Sequence, residues 1–138
     1  MKIKTLIAED EFVSRRLVHK LMSPYADCDL AADGIEAVEA FRVALEQGKP
    51  YGMVILDIMM PRMDGQTVLR TVRALEEKQG VQSTQGAKIV MMTALSDMKS
   101  VMEAYAGLCD AYLVKPISRE QIPPLLEKVG LTAASAPD

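Results

Sequence analysis

Five short apolar runs alternate with five amphipathic stretches, and this alternation constrains the fold more than any other feature of the sequence. The apolar runs have the length of strands, and the stretches between them carry apolar residues at helical spacing. A strict alternation of strand and helix predicts a parallel sheet with right-handed crossovers and helices on both faces. Five strands in this pattern predict a doubly wound α/β sheet of order 2-1-3-4-5. The predicted strands cover residues 3–8, 28–32, 51–56, 88–92 and 111–114.

The first and third helices have the clearest patterns. In the first, residues 11–22, Val13, Leu17 and Leu21 recur at helical spacing. The third is predicted to begin near Gly65. The fourth, near residues 98–105, is only weakly amphipathic.

The last helix contains conflicting signals at its start. Ser118 and Gln121 resemble a capping box, which predicts a helix beginning directly after Ser118. Pro123 and Pro124 would then remove a backbone hydrogen bond inside the helix. Either the regular helix begins later, near Ile122, or its first turn is distorted.

Length, charge and cysteine content indicate one small globular domain without a nucleic-acid partner. With 138 residues, the chain is expected to form one domain over residues 1–130, followed by a short flexible tail at 131–138. A net charge of −3 without a basic block argues against direct nucleic-acid binding. No apolar run is long enough for a membrane span, and no secretory signal opens the chain. Cys28 and Cys109 fit reduced thiols, so a cytoplasmic location is expected.

Polar side chains follow four of the five predicted strands. Glu9 and Asp10 come after the first, Asp57 after the third, Thr93 after the fourth and Lys115 after the fifth. The carboxyl ends of parallel strands share one edge of the sheet, where folds of this kind bind their ligands. We therefore expect these five side chains to form one site.

Three carboxylates at one edge repel each other and need a cation to stay ionised together. Oxygen ligands without histidine or cysteine favour Mg²⁺ over a transition metal. Lys115 would then neutralise a phosphoryl oxygen, and Thr93 would donate a hydrogen bond to another. In this arrangement Asp57 is the nucleophile that accepts the phosphoryl group.

Four segments resemble the motifs of the response-regulator receiver family. Residues 6–11 resemble its acidic pair after the first strand, and residues 57–65 match its D-x-x-M-P-x-M-D-G run without a gap. Residues 92–94 resemble its hydroxyl residue followed by a small one, and 115–116 its lysine-proline pair. The resemblance covers essentially the whole chain. It implies the flavodoxin-like receiver fold and a phosphorylation-dependent switch of two-component signalling.

The resemblance also implies a magnesium site and a phosphoacceptor. Asp57 would take the phosphoryl group and also ligate Mg²⁺, with Asp10 as a direct ligand. Glu9 would act on the metal through water, and the backbone carbonyl of Met59 would supply a further ligand. Glu9 stands where the family more often has Asp.

Further implied features concern the switch and its output. Thr93 and Lys115 would contact the phosphoryl oxygens, and Tyr112 stands where the family has its rotating switch aromatic. The Lys115–Pro116 peptide bond would be cis, and Ile117 replaces a frequent Phe. The output surface would comprise the fourth helix, the fifth strand and the fifth helix.

The partners implied are a sensor histidine kinase or phosphotransfer protein as phosphoryl donor and a downstream protein that the sequence does not identify. Because no DNA-binding or catalytic module follows residue 129, we expect regulation through protein contact rather than conventional enzymatic activity.

Three alternative functions are weaker. His19 suggests a phosphohistidine module, but it lies among Arg15, Arg16 and Lys20 on the polar side of the first helix. A haloacid-dehalogenase-type phosphatase also uses an aspartate nucleophile, but it needs a second acid two residues later, where this chain has Met59. A receiver-like interaction domain that is never phosphorylated usually lacks the aspartate, the lysine or the acidic pair, all of which are present.

Overall fold

The computed structural model describes residues 2–60, 62–82, 85–105 and 108–131, and these contain one sheet of five parallel strands. The strands are β1 (Ile3–Ala8), β2 (Ala26–Ala31), β3 (Met53–Asp57), β4 (Lys88–Ala94) and β5 (Ala111–Lys115). Their order across the sheet is β2-β1-β3-β4-β5, which confirms the predicted order.

In the described part of the chain, five α-helices connect and follow the strands. They are α1 (Phe12–Met22), α2 (Gly34–Glu46), α3 (Gly65–Lys78), α4 (Met98–Tyr105) and α5 (Ile122–Lys128). A single 3₁₀ turn precedes each of the last two, at Leu95–Asp97 and Arg119–Gln121.

The central strand β3 shows how the two faces of the sheet are covered. All five of its residues are buried, and the four apolar ones alternate between two apolar clusters. Met53 and Ile55 join the cluster that includes Leu126 of α5 and Val18 of α1. Val54 and Leu56 join the cluster formed with residues of α2, α3 and α4. The predicted doubly wound α/β architecture is therefore confirmed.

The apolar residues that recur at helical spacing in α1 are not its buried residues. Val13 is 68% exposed and Leu17 is also exposed, whereas Val18 and Met22 are the buried residues of this helix. Leu21 packs against the same core cluster but is only partly buried. Apolar residues extend around more than half of the helix circumference, so their spacing alone could not identify the face that meets the sheet. An apolar surface is consequently left uncovered on α1.

The structure resolves the conflicting signals at the start of α5. The regular helix begins at Ile122, after the 3₁₀ turn, as one of the two alternatives predicted. The predicted capping box is wrong, because the Ser118 side chain makes no capping hydrogen bond. Gln121 instead folds back along the chain: its amide nitrogen donates to the carbonyl of Pro116, and its amide oxygen accepts from the backbone of Val114.

Several strand boundaries differ from prediction by one or two residues. The edge strand β2 begins two residues earlier than predicted, at Ala26, because exposed aspartates interrupt its apolar pattern. Strand β4 continues through Thr93 to Ala94 instead of ending at Met92. The extension places the Thr93 backbone inside the sheet, paired with Val114.

Arg73 of α3 connects several segments at the opposite edge of the sheet. Its guanidinium donates to Glu76 Oε1 at 2.7 Å and to Asp110 Oδ2 at 3.0 Å. It also donates to the carbonyls of Ala87 at 3.0 Å and Leu108 at 3.4 Å. Glu76 in turn accepts from the backbone of Ala87 at 2.7 Å. The arginine therefore joins α3 to the beginnings of β4 and β5.

The connection between α3 and β4, residues 79–87, and the predicted tail at 131–138 are only partly described. Residues 83–84 and 132–138 lie outside the described ranges. None of the helices in the described ranges has the length and apolar character needed to cross a membrane.

Candidate functional site

The segment after β1 presents two acids in different environments. Glu9 is completely buried, and its backbone N–H donates to Ala31 at the end of β2. Asp10 is exposed. Glu11 then caps α1, because its carboxylate accepts from the backbone of Val13 at 3.1 Å and Ser14 at 2.8 Å. The helix therefore begins immediately after the acidic pair.

Asp57 ends β3 and is almost entirely buried. The backbone N–H of Met59 donates to its Oδ1 at 3.3 Å, which orients the carboxylate. Gly65, the first residue of α3, lies so close that an added Cβ would come within 2.6 Å of the Asp57 carbonyl. Its own N–H donates to the carbonyl of Ile58 at 3.0 Å. Glycine at position 65 thus lets α3 begin directly against the end of β3.

The loop between β3 and α3 is fixed against the beginning of α2. Arg62 adopts a left-handed backbone with φ of 65° and pairs with Asp33, the residue that caps α2, at 2.8 Å. Met63 packs against Gly34: a Cβ added to Gly34 would lie 2.1 Å from the carbonyl oxygen of Met63. Both contacts hold the segment that follows Asp57.

The predicted acids and the lysine come together at this edge. The carboxylates of Glu9, Asp10 and Asp57 have oxygen atoms within 4.8 Å of one another. Lys115, at the end of β5, places Nζ 3.0 Å from Glu9 Oε1 and 3.0 Å from Asp57 Oδ2. One ammonium group therefore bridges two buried carboxylates that come from different strands.

The pKa values reflect this crowding of charge. Burial raises the pKa of Glu9 to about 7, the neighbouring Asp57 carboxylate raises it too, and Lys115 opposes both effects. Burial alone would lower the pKa of Lys115, but its hydrogen bonds to Glu9 and Asp57 outweigh that effect and raise it. Lys115 therefore stays protonated, whereas Glu9 retains its proton below a pH of about 7 when no metal is bound.

Thr93 lies beside this cluster, and Tyr112 lies away from it. Thr93 is one residue beyond Met92, which pairs with Asp57 in the sheet, and its hydroxyl donates to the carbonyl of Ala94 at 3.5 Å. Tyr112 packs, partly buried, against the cluster that includes α3 and α4. Burial and the neighbouring Cys109 thiol raise its pKa to about 12.

The remaining predicted features can also be placed. The Lys115–Pro116 bond is cis, as predicted. The side chain of Met59 extends into solvent and is 79% exposed. His19 lines a shallow surface groove with Arg16 and Lys20, two turns along α1 from the acidic pair, and does not join the cluster.

Arg15 was not predicted to belong to the site. Its guanidinium Nη1 donates to the carbonyl of Glu9 at 2.9 Å and to that of Asp10 at 3.3 Å. The position of an arginine one turn into the helix that follows the acids is the only signal in the sequence that could have indicated this contact.

Comparisons with known proteins agree with this geometry. The family model described as the response regulator receiver domain matches residues 5–127. The chemotaxis protein CheY of Treponema pallidum is 31% identical over 121 residues, which are 86% of this chain and 76% of that protein. The solved receiver domain of a sensor histidine kinase from Pseudomonas aeruginosa, with a magnesium ion in its active-site cleft, is 25% identical. It has a TM-score of 0.72 and covers 94% of this chain and 99% of that one.

A probable histidine kinase of rice, Oryza sativa subsp. indica, is 32% identical over 127 residues. These residues are 85% of this chain but only 12% of the kinase, so the chain spans about an eighth of that relative's length. The match is thus confined to one domain of a much longer protein. The family model covers most of the chain, and the strand order, the acidic cluster and the lysine agree with it. The chain therefore belongs to the response regulator receiver domain family of two-component signalling.

Proposed function

We propose that this domain is a magnesium-dependent switch that accepts a phosphoryl group on Asp57 and so regulates a partner protein. The observation that carries the proposal is the bridge of Lys115 between Glu9 and Asp57, at 3.0 Å each, beside the exposed Asp10. Three acids and one lysine at the carboxyl edge of a parallel sheet provide both a cation site and a neutralising charge for an incoming phosphoryl group.

The donor set fits magnesium. The clustered carboxylates of Glu9, Asp10 and Asp57 are hard oxygen ligands, and the cluster contains no thiolate or imidazole. We assign Asp10 and Asp57 as direct ligands, Glu9 as a ligand acting through water, and the Met59 backbone carbonyl as a further ligand. When bound, Mg²⁺ supplies positive charge that offsets the acids and the phosphoryl oxygens.

The phosphoryl step needs little more than positioning. A carboxylate oxygen of Asp57 forms a bond to phosphorus while the phosphorus–nitrogen bond of a phosphohistidine donor breaks, and the electron pair leaves with the imidazole nitrogen. Lys115 Nζ, already 3.0 Å from Asp57 Oδ2, neutralises one phosphoryl oxygen. The Thr93 hydroxyl turns from the Ala94 carbonyl, a long contact of 3.5 Å, to donate to another oxygen.

The same rotation of Thr93 provides the signal. Thr93 on β4 pairs with Val114 on β5, two residues from Tyr112. Movement of the Thr93 side chain leaves space into which the partly buried Tyr112 ring can turn. A change of this ring from one packing to another would alter the surface formed by α4, β5 and α5. We assign this surface as the output surface for an unidentified downstream protein.

A histidine kinase or phosphotransfer protein is the proposed donor. Phe12, Val13 and Leu17 form an exposed apolar surface on α1, beginning two residues after Asp10. Arg15 and Arg16 lie over the Phe12 ring, so the apolar surface has a cationic border. This surface fits a donor that presents an apolar helix with acidic neighbours and carries its phosphohistidine toward Asp57.

Incubation with acetyl phosphate and Mg²⁺, followed by intact-mass measurement, tests the proposal. The wild type should gain one phosphoryl mass, and the gain should disappear without Mg²⁺, in Asp57→Asn and in Asp10→Ala. Asp64→Asn is the matched control, because Asp64 is an acid of the same motif that caps α3 and lies outside the cluster. A phosphorylated Asp57→Asn protein, or equal labelling without Mg²⁺, would show that the assignment is wrong.

A further inference from the structure

The acidic pair lies in a short segment whose backbone is held mainly from α1. The N–H of Glu9 binds Ala31, but the carbonyls of Glu9 and Asp10 both accept from Arg15 Nη1, at 2.9 Å and 3.3 Å. Arg15 is the fourth residue of α1, and its side chain extends back toward the preceding loop. A single guanidinium nitrogen thus fixes two consecutive peptide units.

These two peptide units set the direction of the carboxylates. Glu9 is buried and bound to Lys115, whereas Asp10 is exposed and has no such fixed partner among the described residues. The orientation of Asp10 therefore depends on its backbone. Rotation of the peptide between Glu9 and Asp10 would move the Asp10 carboxylate away from Asp57.

Arg15 holds the backbone without occupying the acids. Within the described ranges, no ion pair joins its guanidinium to a carboxylate, although three acids lie at positions 9–11. Its hydrogen bonds go to carbonyl oxygens, so the carboxylate oxygens stay available to a cation. An arginine that paired with Asp10 instead would compete with the metal for the same oxygens.

We propose that Arg15 is a positioning residue for the divalent cation: it holds the Glu9–Asp10 backbone so that both carboxylates face Asp57. This inference rests on the proposed function, since it concerns the same metal site. Partners that orient metal ligands from outside the ligand set commonly change metal affinity by about 10- to 100-fold when removed.

Arg16 offers a matched control. It is the next residue on α1, carries the same charge and lies over the same Phe12 ring, at 5.7 Å compared with 5.6 Å for Arg15. No hydrogen bond from Arg16 to the acidic segment is present in the described part of the chain. Removal of Arg16 therefore changes the local charge equally but leaves the Glu9–Asp10 backbone held.

The test is a magnesium titration of nitrogen-15-labelled, unphosphorylated protein followed by NMR, on wild type, Arg15→Gln, Arg16→Gln and Arg15→Lys. We expect the dissociation constant for Mg²⁺ to rise about tenfold in Arg15→Gln. In Arg16→Gln it should change by less than about twofold, because a screened surface charge contributes little. Arg15→Lys keeps the charge but lacks the planar fork, so it should also bind Mg²⁺ more weakly than wild type.

Two results would overturn the inference. If Arg15→Gln and Arg16→Gln bind Mg²⁺ equally well, any loss of affinity comes from the lost charge alone. Wild-type Mg²⁺ affinity in Arg15→Lys would likewise show that the charge, and not the hydrogen bonds to the backbone, sets the affinity. Urea unfolding of the metal-free variants provides the second readout: the two glutamine variants should unfold at similar concentrations, which separates metal positioning from stability. A wild type without saturable Mg²⁺ binding would instead contradict the proposed function itself.

Discussion

The Arg73 network gives a stability prediction whose size can be worked from its contacts. Arg73→Met removes the ion pairs with Glu76 and Asp110 and the hydrogen bonds to the carbonyls of Ala87 and Leu108. The Glu76 carboxylate is buried, and among the described residues its remaining hydrogen bond after the mutation comes from the Ala87 backbone. The mutation therefore leaves a buried negative charge without its counter-ion.

Breaking a buried ion pair from one side costs about 3 to 5 kcal/mol. The side chains of Arg73 and Asp110 are 24% and 30% exposed, and solvent screening reduces the cost at the Asp110 end. We therefore expect Arg73→Met to lower the free energy of unfolding by about 2.5 kcal/mol. With a urea m-value of about 2 kcal/mol/M, the unfolding midpoint should fall by roughly 1.2 M.

Urea unfolding followed by circular dichroism measures this shift. Arg70→Met is the control, since Arg70 is exposed on the same helix and should change stability by less than about 0.5 kcal/mol. Combining Arg73→Met with Glu76→Gln should cost less than the sum of the single changes, because the second change removes the unpaired charge. Equal midpoints for Arg73→Met and Arg70→Met would refute the reasoning.

Two further predictions concern the loop after Asp57 and the switch. Arg62 has a left-handed backbone and pairs with Asp33, and both Arg62→Gly and Arg62→Ala lose that ion pair. Because only glycine adopts this backbone without strain, the free energy of unfolding in urea should be about 1 kcal/mol higher for Arg62→Gly than for Arg62→Ala. Equal stabilities would contradict the strain argument. Addition of beryllium fluoride and Mg²⁺, which imitate the phosphorylated state, should shift the NMR signals of Tyr112 and of α4 as well as those of the acids. Shifts confined to the acids would mean that the proposed rotation of Thr93 does not reach Tyr112.

The sequence predicted the positions of the acids and the lysine well because the topology brings them together. Once five parallel strands were inferred, Glu9, Asp57 and Lys115 had to meet at one edge, whatever the details of packing. The buried face of α1 could not be inferred in the same way. Its apolar residues surround much of the helix, and only the packing of Val18 against the sheet decides which side is covered.

Arg15 and Arg73 show a second limit of sequence reasoning. Both donate to backbone carbonyls, which every residue carries, so no pattern of residue types marks the partner. The carbonyl of Leu108 lies 35 positions from Arg73 in the chain, and only the folded structure brings the two together. Polar contacts of this kind follow from the fold and do not predict it.

Under the proposed function, the lifetime of the phosphorylated state would depend on the side chains that surround the approach to Asp57. An acyl phosphate is lost when water attacks phosphorus in line, opposite the Asp57 oxygen. Met59 lies two positions after Asp57, and Leu95 lies two positions after Thr93. Both side chains are largely exposed, Met59 by 79% and Leu95 by 73%. Neither carries a group that could orient or deprotonate an attacking water, and each is free to fold over the phosphoryl group.

We therefore expect slow intrinsic dephosphorylation, so that a partner phosphatase or return of the phosphoryl group to a kinase ends the signal. The Met59→Asn, Leu95→Glu double variant supplies an amide and a carboxylate at these two positions, and it should lose its phosphoryl group at least about tenfold faster than wild type. A decay time course in excess Mg²⁺, followed by intact mass, measures the rates. Met102→Asn on α4 is the control, because this exposed methionine lies outside the site and should leave the decay rate unchanged. If the double variant decays no faster than wild type, Met59 and Leu95 only cover the site and do not set the lifetime.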